Sequence, residues 1–238
     1  MLCLLIIFMR RSHLILEQYK QIIHFFMICI SIGNSDFNTA LEKAGSEELI
    51  ELRLDLLNIT DEQIKTLCSQ KARTIVAFRP GNVSDGERLE KLKTAILAGA
   101  ELIDTEWNAG EEFLEELVPF ARGNDCRVII SFHDREKTPV KRELEHIVKE
   151  CSMSGADIVK IVCRVNSTED NARLLSLYSL GKNIIVIGLG NLGKITRLAA
   201  PLAGAEFTYA SLGKGLETAE GQMSKPAMEK AYKLIGQG

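Results

Sequence analysis

Residues 154–165 read SGADIVKIVCRV. A small glycine-containing turn ends in an acidic residue and leads into IVKIVCRV (158–165), an apolar β-branched run with the length and flanks of a buried strand. Before it lies VKRELEHIVKECSMSG (140–155), whose apolar residues recur at helical spacing; after it comes a segment starting at Thr168, helical in pattern over 171–178. The same glycine–alanine–acidic turn precedes two other apolar runs, in AGAELI (98–103) and AGAEFT (203–208). The turn marks a repeating unit of strand, helix and return.

Working outward, the same unit recurs along the chain. Strands are expected at ICISI (28–32), LIELRLDLL (49–57), RTIVAFR (73–79), LIDTEW (102–107), CRVIISFHD (126–134), IVKIVCRV, NIIVIGLG (183–190) and EFTYASL (206–212). Helix-period segments follow each, among them 61–70, GERLEKLKTAILAG (86–99), EEFLEELVPFA (111–121), KITRLAAPLAG (194–204) and PAMEKAYKLI (226–235). Gly155, Gly181 and Gly204 stand where a glycine closes a helix. Eight even βα units with no linker or low-complexity tract predict one (β/α)8 TIM barrel, a fold of about 250 residues. Doubly wound sheets share the alternation but rarely reach eight such units.

Composition excludes several classes. A net charge of -3 over 238 residues offers no bulk attraction for nucleic acid or an anionic membrane. The six cysteines are scattered, with no C-x-x-C and no His/Cys cluster, so neither a disulfide framework nor a zinc site is expected, and the pattern suits a reducing cytosol. The N-terminal segment stands apart. MLCLLIIFM is too short to span a bilayer and its basic pair, Arg10 and Arg11, follows the apolar run, the reverse of a secretory signal. A membrane-touching anchor and a helix packed on the domain are two readings of it. The one adopted is that residues 1–26 are non-native upstream sequence with the real start at Met27, hence a dispensable extension, and that the barrel domain spans 27–238, because the repeating pattern begins just after Met27.

In a barrel of this kind the active site lies at the C-terminal ends of the strands. Here those ends carry Glu51 and Arg53 on one face of the second strand, Arg79 after the third, and Asp104 and Glu106 on the fourth. The fifth carries Ser131 and His133, and the sixth Lys160. Asp104 is read as a cap on the barrel core. Lys160 lies within an apolar run, where desolvation disfavours the ammonium and leaves an amine able to attack a carbonyl. An amine nucleophile implies a ketone or aldehyde substrate and an imine; a histidine beside it moves protons, with Glu106 orienting the ring. The arginines imply a carboxylate or phosphate on the substrate. Arg197, near the expected start of a helix, stands where an anion is favoured.

ELRLD, AFR (77–79), the D-x-E of 104–106, SFHD followed by Thr138-Pro139, DIVKI, GKITRL and the late EGQ occur in order, one per strand or loop. Together they resemble the type I 3-dehydroquinate dehydratase family, from about Ile28 to the C-terminus. The resemblance implies dehydration of 3-dehydroquinate to 3-dehydroshikimate through an imine, without metal or cofactor, by a cytoplasmic enzyme that acts as a homodimer. It makes Lys160 the Schiff-base lysine, His133 the proton-transfer residue and Glu106 its support. Glu51, Arg53 and Arg79 would hold ring hydroxyls, Arg197 the carboxylate, and Thr218 and Gln222 would belong to a lid over the substrate. Two departures stand out. PGNVSDGE after Arg79 lacks the family's common Glu-Gly-Gly, and Glu220 adds a charge to the late loop, so its side chain is expected to point outward. The runner-up reading is a class I aldolase sharing the strand-six lysine; a non-catalytic ligand-binding barrel is the alternative from another class.

Overall fold

Parallel strands buried on both faces need apolar residues at nearly every position, and the eight runs supply them. The computed structural model describes residues 26–81, 83–181 and 183–235. Its strands are β1 (Met27–Ile32), β2 (Leu49–Arg53), β3 (Arg73–Ala77), β4 (Leu102–Glu106), β5 (Arg127–Asp134), β6 (Ile158–Arg164), β7 (Ile184–Leu189) and β8 (Phe207–Ser211). Helices α1 (Phe37–Ser46), α2 (Asp61–Cys68), α3 (Asp85–Leu97), α4 (Glu111–Gly123), α5 (Lys141–Met153), α6 (Thr168–Ser176), α7 (Lys194–Leu202) and α8 (Lys225–Ile235) alternate with them. The segment expected to be helical over 171–178 divides into α6 and a 3-10 turn, Leu177–Leu180. Strand β2 stops earlier than expected, because Leu56 N–H turns back to the Arg53 carbonyl (2.9 Å).

All ladders are parallel, and each strand from β1 to β6 pairs with the next, while β1 also pairs with β8. The barrel is nearly closed. Among the described residues no ladder joins β7 to β8; α7 lies across that seam. Its Thr196 hydroxyl accepts from Gly188 N–H (2.7 Å), and its Arg197 carbonyl accepts from Thr208 Oγ1 (2.8 Å). The approach needs glycine, since a Cβ on Gly193 would lie 2.4 Å from the Gly188 carbonyl oxygen.

The repeated turn has a single physical form. Gly99, Gly155 and Gly204 all have φ near +100° (97, 97 and 106), and the alanine after each donates its N–H five residues back, to Ala95, Cys151 and Ala200. This satisfies helix-end carbonyls and delivers the next acidic residue to the bottom rim of the barrel. Two apolar layers result. Ile50, Val76, Ile103 and Ile130 pack outward against the helices. Cys29, Leu49, Ile75, Leu102, Ile129, Ile158 and Phe207 fill the lower barrel interior. Cys29, Cys68, Cys126, Cys151 and Cys163 are buried thiols, none of them in a disulfide. The expected extension, residues 1–26, lies outside the described residues except for Phe26, whose ring stacks on Tyr232 of α8 (centroids 4.8 Å apart).

Candidate active site

A strand turns alternate side chains to one face, so residues two positions above the apolar floor also point inward. On that level stand Ser31, Glu51, Asp104, Ser131, Lys160 and Tyr209, each no more than 4% exposed. Arg53, Glu106 and His133 stand one step higher at the strand ends. Of these groups Glu51, Arg53, Glu106, His133, Lys160 and Tyr209 border a cavity of about 650 Å³ at the top of the barrel, and all nine residues expected at the site line it.

Lys160 is not the lone amine that its apolar run suggests. Its Nζ donates to Asp104 (2.8 Å) and Glu51 (3.1 Å) and lies 4.0 Å from the centre of the Tyr209 ring. The expectation of a free amine counted burial and left these carboxylates out. Asp104 is more than a core cap. One of its oxygens also accepts from Arg79 (2.7 Å), and the other accepts from Ser131 Oγ (2.7 Å). Burial works to raise the Asp104 carboxyl, but Arg79 and Lys160 outweigh it and hold the group well below the usual carboxylate range. For Glu51 burial is likewise opposed, chiefly by Lys160, and the net shift is downward.

Arg79 joins this group to the proton-transfer pair. It donates to Ser131 Oγ (2.7 Å) and lies 3.2 Å from Glu106, whose other oxygen is 3.0 Å from His133 Nδ1. With Nδ1 committed to a carboxylate, the ring presents Nε2 as its free nitrogen. Burial lowers the His133 pKa below 6.5 and the Arg79 charge adds to this, with Glu106 opposing. His133 is therefore predominantly neutral at pH 7.

Arg53 is locked by Asp55 in a two-bond fork (2.9 and 2.6 Å) and reaches the Thr218 carbonyl at 3.4 Å. Thr218 also meets Ser31 Oγ (2.6 Å), which donates to Glu51 (2.5 Å), while Gln222 Oε1 accepts from Thr218 N–H (2.7 Å). The loop after β8 thus crosses the mouth and is fixed to the ends of β1 and β2. Its Glu220 is exposed at the rim of the cavity and pairs with Arg164 at the end of β6. Arg197 is different from every other charge here. It is 0% exposed, and none of its three guanidinium nitrogens has a partner among the described residues. Burial brings its pKa down to about 10.

Residues 28–238 match the family model described as type I 3-dehydroquinase. The chain belongs to the type I 3-dehydroquinase family. It is accordingly an enzyme, a hydro-lyase of the 3-dehydroquinate dehydratase class. The chain is 36% identical over 225 residues to the 3-dehydroquinate dehydratase of Methanococcus maripaludis, covering 88% of this chain and 100% of that one. It is 32% identical over 201 residues to that of Thermococcus onnurineus, covering 82% and 91%. Among solved structures, the 3-dehydroquinate dehydratase from Aquifex aeolicus superposes with a TM-score of 0.75 at 28% identity, covering 89% of this chain and 98% of that one.

Tyr209 lines the cavity, and Asp55 and Ser31 hydrogen-bond to residues that line it; the reading of the dehydroquinase motifs passed over all three. Asp55 was in view inside ELRLD, and Ser31 and Tyr209 occupy inward positions of their strands. A strict period-of-two reading of β1 and β8 would have found the last two.

Proposed function

We propose that this protein dehydrates 3-dehydroquinate to 3-dehydroshikimate through a Schiff base on Lys160, within aromatic amino-acid biosynthesis. One observation carries the reading: a buried lysine and a buried, unpartnered arginine open into the same cavity. The pair fits a substrate that is both a ketone and an acid.

The residues divide the work by position. The ammonium proton of Lys160 must leave before attack, and Glu51 and Asp104 are the acceptors in contact with it. Nζ then adds to the C3 carbonyl, and loss of water from the carbinolamine gives the imine. With Nδ1 held by Glu106, His133 uses Nε2 to carry protons for carbinolamine breakdown, for removal of hydrogen from C2, and for departure of the C1 hydroxyl as water. Hydrolysis of the imine takes up one water, offsetting the one lost in its formation, and frees Lys160, so the net change is loss of one water. The carboxylate occupies the unpartnered Arg197, Arg53 and Arg79 face the ring hydroxyls with Glu51, and Thr218 and Gln222 cover the substrate. The same reading includes action as a homodimer in the cytoplasm, with no resident metal or cofactor. No helix among the described residues is long and apolar enough to cross a membrane.

Borohydride reduction in the presence of 3-dehydroquinate, followed by peptide mass mapping, tests the central claim. Substrate-derived mass is expected on Lys160. Label on Lys194 or Lys182 with Lys160 unmodified would remove the Schiff-base assignment.

A further inference from the structure

Tyr209 lies on β8 with its side chain at the floor of the cavity. Its ring has two neighbours that explain its placement, Phe207 edge-on (centroids 5.5 Å apart) and the Lys160 ammonium over its face (4.0 Å). Its hydroxyl has none. The residue is 1% exposed, and the phenolic oxygen has no hydrogen-bond partner among the described residues. A buried hydroxyl without a partner is costly, and buried tyrosines usually find one. A phenylalanine would fill the same floor and hold the same lysine without that cost. The hydroxyl therefore calls for an explanation that the packing does not supply.

The nearest parallel in the molecule is Arg197, whose three nitrogens are equally without partners and which lines the same cavity. Two buried groups thus keep donors free in one space. Burial, with the nearby carboxylates of Glu51 and Asp104, pushes the phenol pKa well above its ordinary value, so the hydroxyl keeps its proton. An ionised carboxylate accepts at about four lone-pair positions, and an arginine fork occupies two of them. A further neutral donor beside the fork fits what remains.

We infer that Tyr209 is a substrate-binding residue whose hydroxyl donates to the carboxylate that Arg197 grips, so that the pair selects an acid over a neutral ketone. The inference rests on the reading that the substrate is 3-dehydroquinate. Among the described residues the hydroxyl lacks a partner, and binding supplies one.

Tyr209→Phe keeps the ring under Lys160 and removes only the oxygen. KM for 3-dehydroquinate is expected to rise by about 10-fold to 100-fold, the loss of one bond to a charged acceptor, and the loss should fall in KM rather than in kcat. Binding of quinate, which keeps the carboxylate-bearing carbon but has no ketone to form an imine, should weaken by a similar factor. The melting temperature of the unliganded variant should equal or exceed that of the parent, because an unsatisfied group has gone. Placed on Arg197→Met, the same change should cost much less than it does alone, since the two side chains share one carboxylate. An unchanged KM with normal parent turnover would overturn this inference alone. So would a marked fall in the unliganded melting temperature, which would show that the hydroxyl serves the fold. If the parent protein forms no conjugated enone from 3-dehydroquinate, the reaction assignment falls and this inference falls with it.

Discussion

The two ends of the barrel both carry arginines among carboxylates, and they treat them in opposite ways. At the bottom, Arg73 forks onto Glu101 and also meets Glu206 (3.5 Å), while Arg127 forks onto Glu206 (2.8 and 2.7 Å). These four side chains are about a third exposed (30–34%), and every charge has an opposite neighbour. At the top, Lys160, Glu51, Asp104 and Arg79 are each less than a tenth exposed, and Arg197 has no partner among the described residues. Half-exposed pairs cost little and contribute little; buried charges cost several kcal/mol unless well paired. The bottom network tidies a rim. The top network holds charge where folding alone would not place it, and the proposed substrate carboxylate would complete it.

The largest expected effect is at His133. His133→Ala should fold normally and turn over at least about two orders of magnitude more slowly, with the imine accumulating. In the parent, kcat/KM should fall on the acid side at a pH below 6.5, since burial and then Arg79 lower the His133 pKa. The sign for stability agrees with this. A histidine whose folded pKa is depressed stabilises the fold above its unfolded pKa, and that contribution is lost as pH falls from the unfolded value through the folded one. An acid limb above 6.5, or a near-normal rate in His133→Ala, would place this residue with the bottom rim as a structural group.

Arg197 sharpens the comparison because its two consequences should have opposite signs. Arg197→Met removes a buried cation without a partner, so the unliganded protein should melt at the same temperature or higher. KM should rise by about 30-fold or more, the cost of losing a buried charged partner for the carboxylate. An unchanged KM would make Arg197 an idle buried charge and remove the asymmetry between the two ends.

How much of this was legible before the structure depends on whether a feature is local. The eight units were, because each strand and helix carries its own apolar period, and the turns at Gly99, Gly155 and Gly204 repeat one helix-closing geometry. Lys160, His133 and Glu106 were visible as polar groups at strand ends. Hidden were pairings between distant strands: Asp104 serving Lys160, Arg79 and Ser131 together depends on the register of β3, β4, β5 and β6. The burial of Arg197 was hidden too. A helix arginine reads as solvated until the unpaired seam between β7 and β8, where α7 lies, is known. The bottom network was half visible, since the recurring turns announce Glu101 and Glu206 but not the arginines that answer them.

That network supplies the smallest expected effect and the control for the others. Arg127→Ala should lower stability by about 0.2–1 kcal/mol, the range for partly exposed ion pairs. The difference should shrink in high salt, where such pairs are screened. Glu206 keeps Arg73 as a second partner (3.5 Å), so no carboxylate is left isolated. Because the apolar floor of Leu49, Leu102, Ile129 and Phe207 lies between this rim and the cavity, kcat and KM should both match the parent. A change in KM at unchanged stability would mean that charge at the bottom is felt at the top, and the division between a structural end and a working end would fail.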